Sequence, residues 1–168
     1  MNTKHKIVDL DHLAGIVVDL KKQNKKIVTT NGAFDILHVG HKRALEESKS
    51  LGDILIVGVN SDVSVRQYKS DVRPIISEDD RAEMVAGFEC VDYVVIFNQP
   101  DPINFLNQIK PHVHTKAGDY KAEELIEYPT LIKNGGEIMT TPLVEGKSTT
   151  GIIERILESY TSKYSEKK

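Results

Sequence analysis

The sequence is short of several things that whole classes of protein require. Its single cysteine, Cys90, excludes an intramolecular disulfide and a cysteine-based zinc site, and is compatible with a reducing compartment. No apolar run approaches 18 residues, and the opening stretch MNTKHKIVDLD is too polar for a signal peptide. The expectation is therefore a cytoplasmic protein with no membrane association. Positive charge is not in excess: 22 Lys and Arg stand against 25 Asp and Glu, a formal net charge of −3, and aromatics make up only 6% of residues. Neither a basic face nor interleaved aromatics argues for nucleic acid, although local basic clusters could still receive phosphates. Internal repeats, low-complexity tracts and interdomain linkers are absent too.

What is present suits one domain spanning residues 1–168, with 39% hydrophobic and 28% charged residues. Leu10, Leu13, Ile16, Val17 and Leu20 recur at helical spacing and predict a helix over 10–22, capped by Asp9 or Asp11. KKIVTTNG reads as a strand closing in a turn, followed by a helix from Val39 to Ser50 that stops at Gly52. DILIVGVN is apolar almost throughout, as a strand covered on both faces should be. SEDDRAEMVAGFE opens on a capping-box-like Ser77 and Asp80, with an apolar stripe at Met84, Val85 and Phe88. The strand DYVVIF is next, then a short helix with Asp101 at the N-cap, Pro102 at N1 and its end at Gln108. A strand near HVHTK, an irregular stretch holding a short helix, a strand at GEIMTT and a helix from Ser148 to about Ser159 complete the pattern. The polar tail 161–168 is expected to fray. Alternating strands and helices predict an α/β, Rossmann-like open parallel sheet with helices on both faces.

In such sheets ligands gather outside the carboxyl ends of the strands. Four loops should meet there: NGAFDILH, NSDVSV, KAGDY and PLVEGKSTT. In the first, Asn31-Gly32 permits a sharp turn, and the helix behind it presents free N–H groups and a positive dipole end to an anion. His38 and His41 share one face of its first turn, and Gly40 between them removes a side chain where a ligand could crowd in. The same spacing also fits a capping His38 with a surface His41. It fits a shared zinc ion as well, with His112 and His114 on one face of a later strand. Ser148, Thr149 and Thr150 supply hydroxyls and backbone donors at another helix start, where Ser148 is equally an ordinary N-cap.

TNGAFDILHVGH resembles the signature of the nucleotidyltransferases with the H-x-G-H motif, and KSTTGII resembles their second signature. The resemblance implies that His38 and His41 contact nucleotide phosphates and act in catalysis with Lys69. It implies that Asn31, Gly32, Ala33, Phe34, Gly40, Asn60, Asp62, Arg73, Gly118, Asp119, Ser148, Thr149 and Thr150 bind the nucleotide. Asp35, Lys116 and Tyr120 would meet the acceptor. Solvated charges are the plain alternative for Lys69 and Arg73, and a turn or cap for Asp35.

Cytidylyl members usually carry an Arg-Thr pair upstream of the second signature, where this chain has Leu143 and Val144 before Glu145-Gly146. With KAGDY and KSDVRP, the closer resemblance is to the adenylyltransferases acting on D-glycero-β-D-manno-heptose 1-phosphate, in a stand-alone form. It covers residues 25–158. Ala33 and Ala117 replace a cysteine and a glycine common in those enzymes. The implied partners are ATP and a sugar 1-phosphate, with Mg²⁺ bound mainly through substrate phosphates, no metal held by the protein itself, and a homodimer. The nearest other reading is a glycerol-3-phosphate cytidylyltransferase.

Overall fold

A computed structural model describes residues 2–165. Five strands, β1 (Ile27–Gly32), β2 (Ile54–Asn60), β3 (Tyr93–Phe97), β4 (Val113–Ala117) and β5 (Glu137–Thr141), form one sheet in the order β3-β2-β1-β4-β5. Every pairing is parallel. The chain runs outward from β1 to β2 and β3, then crosses back to β4 and β5. The reversal leaves a crevice beyond the ends of β1 and β4, where this kind of sheet binds ligands.

Helices cover both faces. One apolar layer joins Val28, Leu55, Val57 and Val59 to Leu45 of α2 (Val39–Ser50) and to Ala82, Val85 and Ala86 of α4 (Glu78–Ala86). The opposite layer joins Ile27, Ile56 and Val95 to α1 (Leu10–Lys22), α5 (Ile103–Ile109) and Leu131 of α6 (Tyr128–Lys133). Because β2 is buried on both sides, its unbroken apolar run is explained.

Helices α1 and α2 occupy the predicted spans, and Asp9 caps α1 by accepting the His12 N–H at 2.8 Å. Four details differ. The segment after β2 is a helix, α3 (Asp62–Tyr68), capped by Ser61, rather than a loop. The buried stripe of α4 is Arg81, Ala82, Val85 and Ala86, while Met84 is 59% exposed. Pro102 takes the N-cap of α5, and Asp101 reaches past it to accept the Ile103 N–H at 3.0 Å. The last helix, α7 (Thr149–Ser165), continues through the first part of the tail expected to fray; residues 166–168 lie outside the described residues.

Candidate active site

The turn after β1 bends in a way that side chains resist. Phe34 and Ile36 sit at φ +53° and +47°, a left-handed region that is unusual for a β-branched residue such as Ile36. Two buried side chains hold it there. Arg81, 1% exposed, donates to the Ala33 and Ile76 carbonyls and to the Asp62 carboxylate. Asp35, also 1% exposed, accepts the Arg73 Nε at 2.6 Å and the Ile75 and Ile76 N–H groups at 3.0 Å each. Burial alone would raise the Asp35 pKa. The two backbone donors and the guanidinium outweigh it and hold the carboxyl below its ordinary range. Asp35 therefore fixes Arg73 and the 73–76 segment over the turn.

His38 is the N-cap of α2, and its Nδ1 accepts the Gly40 N–H at 3.1 Å. His41 Nδ1 accepts the His38 N–H at 3.3 Å. A ring nitrogen that accepts a hydrogen bond carries no proton, so each neutral imidazole is assigned its proton on Nε2. The rings lie 4.0 Å apart, inclined by 31°. Burial lowers the pKa of both. His41 falls to about 4, through burial first and then the nearby His38 and Lys69. At neutral pH the pair consists of two uncharged N–H donors. Gly40 is needed for a tighter reason than ligand room: a Cβ there would lie 2.8 Å from the His38 ring.

The start of α7 meets this turn directly. Thr149 Oγ1 donates to the Asp35 carbonyl at 2.7 Å, and Ser148 Oγ accepts the Gly151 N–H at 3.0 Å. Together the two helix starts line a cavity of about 350 Å³, with His38, Gly40, His41, Lys69, Arg73, Lys147, Ser148, Thr149 and Thr150 on its walls. A second compartment of about 260 Å³ adjoins it through His41, Lys69, Arg73 and Thr149, and extends over Asn31, Gly32, Ala33, Phe34, Asp35 and Lys116. Four cationic side chains and two helix N-termini converge in a protein whose net charge is negative. Such a concentration of positive charge suits a polyanion.

Other expected residues stand apart from these cavities. Asn60 is buried and donates to Ser64 Oγ at 2.9 Å, and Asp62 is engaged by Arg81. Gly118, at φ +132°, lies beneath the Tyr120 ring, with Asp119 and Tyr120 exposed beyond it. The zinc alternative finds no ligand set. His112 Nδ1 accepts the Ile27 N–H at 2.9 Å, His114 Nδ1 pairs with the Thr29 hydroxyl at 2.8 Å, and no three His, Cys, Asp or Glu among the described residues are grouped to hold a metal. Among the polar and aromatic wall residues that were not singled out from sequence are Lys147 and Tyr68. Lys147 stood inside the quoted KSTTGII and was readable there; Tyr68, exposed at the end of α3, was hidden with its helix.

Known proteins resemble this chain in sequence and fold. A cytidylyltransferase-like family model matches residues 29–155. The chain is 46% identical over 155 residues to the bifunctional protein HldE of Geobacter metallireducens, covering 92% of this chain and 32% of that protein. It is 46% identical over 158 residues to the HldE of Campylobacter concisus, covering 94% and 32%. The chain thus spans about a third of the length of these curated relatives. Among solved structures, a lipopolysaccharide core biosynthesis protein from Thermoplasma volcanium superimposes with a TM-score of 0.61 at 28% identity, covering 73% of this chain and 99% of that one. A pantoate-beta-alanine ligase from Francisella tularensis shares the fold at TM-score 0.58 and 18% identity, over 81% and 66% of the two chains. With the family model covering most of the sheet and both helix starts, this chain belongs to the cytidylyltransferase-like family and is a nucleotidyltransferase.

Proposed function

We propose that the protein is an adenylyltransferase that joins ATP to D-glycero-β-D-manno-heptose 1-phosphate, giving ADP-heptose and pyrophosphate for a surface glycan such as the lipopolysaccharide core. One observation carries this reading: paired neutral imidazoles and the Ser148–Thr150 helix start line one cavity together with Lys69, Arg73 and Lys147. The chemistry needs no covalent enzyme intermediate. A phosphate oxygen of the acceptor attacks the α-phosphorus, the bond from that phosphorus to the α,β-bridging oxygen breaks, and pyrophosphate leaves with the electron pair. The attacking oxygen is already anionic, so no general base is required.

Catalysis then rests on alignment and on neutralising charge as it shifts. The Nε2–H groups of His38 and His41 suit the non-bridging oxygens of the α-phosphate. Lys69, Lys147 and the hydroxyls of Ser148, Thr149 and Thr150 suit the departing phosphates. Arg73, fixed by Asp35, closes the boundary between the two compartments, and Lys116 faces the acceptor phosphate from the smaller one. In this reading Asp35 serves the acceptor by holding Arg73. Gly118, Asp119 and Tyr120 would border the nucleotide and sugar beyond the phosphates, while Asn60 and Asp62, held by Ser64 and Arg81, would support that wall from behind. Mg²⁺ would arrive on the triphosphate: Asp35, the nearest carboxylate, is already committed to Arg73, and no step here runs through the metal. A homodimer is part of this reading, and sedimentation would test it.

Support for the heptose acceptor comes from the relatives named HldE and from the lipopolysaccharide core protein of similar structure. The family description is compatible with a cytidylyl donor, and the second reading is a cytidylyltransferase whose acceptor would be glycerol 3-phosphate; Leu143 and Val144 in place of Arg-Thr weigh against it. A pyrophosphate-release panel decides, crossing ATP and CTP with both heptose 1-phosphate anomers and glycerol 3-phosphate. ATP with the β-anomer is expected to be fastest. Fastest release from CTP, or from glycerol 3-phosphate, would overturn the proposal.

A further inference from the structure

Lys116 reaches the smaller compartment from the end of β4, yet its ammonium is tied to a residue that no motif contains. Its Nζ donates to Glu127 Oε1 at 2.7 Å. The two ends of this pair live in different places. The Lys116 side chain is 26% exposed and lines the cavity, while Glu127, immediately before α6, is 1% exposed. A buried carboxylate is costly without a partner, so Glu127 depends on Lys116 more than Lys116 depends on Glu127.

A third group stands beside them. His114 lies two residues before Lys116 on the same face of β4 and is fully buried. Its Nδ1 is 2.8 Å from Thr29 Oγ1, whose other acceptor, the Val113 carbonyl, is a longer 3.5 Å away. The hydroxyl is thus best used as donor to the ring, which leaves the proton on Nε2. That Nε2 has no hydrogen-bond partner and sits 4.0 Å from the same Glu127 oxygen that holds Lys116. Buried polar atoms are nearly always satisfied, and an exception asks for an explanation. An inward shift of about 1 Å would make this one a hydrogen bond.

We propose that Glu127 is the positioning residue for Lys116, holding its ammonium toward the acceptor phosphate, with His114 as the donor that satisfies Glu127 when Lys116 leans onto that phosphate. The orphaned imidazole then has a use: it is the second partner of a carboxylate whose first partner is shared with substrate. The direction of sharing rests on the reading of Lys116 as acceptor-facing; the tether itself does not.

Two measurements test it. In steady state with the fastest nucleotide and acceptor pair, Glu127→Ala should lower acceptor kcat/KM by about 10- to 100-fold, mostly through KM, and leave the KM for the triphosphate within about twofold. Glu127→Gln keeps an acceptor oxygen for the ammonium and should return activity to within about threefold of the unmodified protein. In a Lys116→Met background, Glu127→Ala should cost no more than about a further twofold. An equal loss with and without the Lys116 ammonium would overturn the proposal, because Glu127 would then act on the fold at large. The second readout is the ammonium signal of Lys116 in lysine-labelled protein by nitrogen-detected NMR. Slow proton exchange in the unmodified protein and in Glu127→Gln, lost in Glu127→Ala, is expected; an unchanged signal in Glu127→Ala refutes the tether. This signal needs no turnover, so failure of every acceptor in the panel would remove the proposed reaction while leaving the tether judged on its own.

Discussion

Two pairs of histidines can be set side by side. His38 and His41 stand three apart at the start of α2, and His112 and His114 stand two apart on β4. All four rings have Nδ1 occupied: by the backbone N–H groups of Gly40, His38 and Ile27, and by the Thr29 hydroxyl. All four have pKa values pushed below the ordinary 6.5 by burial. The pairs differ in what surrounds the rest of the ring. His38 and His41 border a cavity lined by cations, whereas His112 is spent on Ile27, the first residue of β1, and His114 is sealed inside the sheet layer. Spacing marks a pair as interesting. The free nitrogen's surroundings decide whether it does chemistry.

The comparison breaks most sharply at His41. Replacing it with Ala should lower turnover by about 10²-fold or more, the scale of losing one donor to a developing oxyanion, with the unfolding temperature little altered. Near-normal turnover would remove His41 from the mechanism. His114→Ala should act chiefly on stability. It empties a buried site and deprives the Thr29 hydroxyl of its acceptor, for about 2–4 kcal/mol of stability by chemical denaturation. A loss below about 1 kcal/mol would show that the buried pair is not a structural element. Lys69→Ala should follow with about a tenfold rise in the KM for ATP and a smaller effect on the acceptor. The reverse order would place Lys69 on the acceptor side.

Acid should produce the smallest effect. His41 titrates near 4 and His114 near 3 in the folded protein, against 6.5 for the free side chain. As pH falls below 6.5 the unfolded chain takes up protons that the folded one refuses, so this contribution is complete above 6.5 and is lost down to about 4 for His41 and about 3 for His114. Urea midpoints at pH 7.5 and 5.5 should therefore differ, and the difference should shrink in His41→Ala. An unchanged difference would assign the acid response to other groups.

The sequence made some parts of the molecule legible and concealed others, for a physical reason. Helices α1 and α2 were readable because cap, apolar spacing and stop signal are local; Asp9 and Gly52 each sit within a few residues of what they end. The convergence of His38, His41 and Ser148–Thr150 was expected from the alternation of strands and helices together with the two signatures, since loops leaving the same end of a parallel sheet lie side by side. Helix α3 was missed because Val63 and Val65 alternate like a strand over a segment of only seven residues, and Val63 is 56% exposed. Arg81 and Glu127 were hidden more deeply. A charged side chain reads as solvent-facing until its partners are known, and those partners lie on other elements: the Ala33 and Ile76 carbonyls with Asp62 for one, Lys116 for the other.

The hydrogen bond from Thr149 to the Asp35 carbonyl joins positions 114 residues apart. The turn that carries the two imidazoles and the helix start that roofs it thus belong to distant parts of the sequence. Pairing β1 with β2 can align the imidazoles, but the cavity above them has no second wall until α7 docks. Undocking that one helix would open the cavity while leaving the sheet beneath it paired.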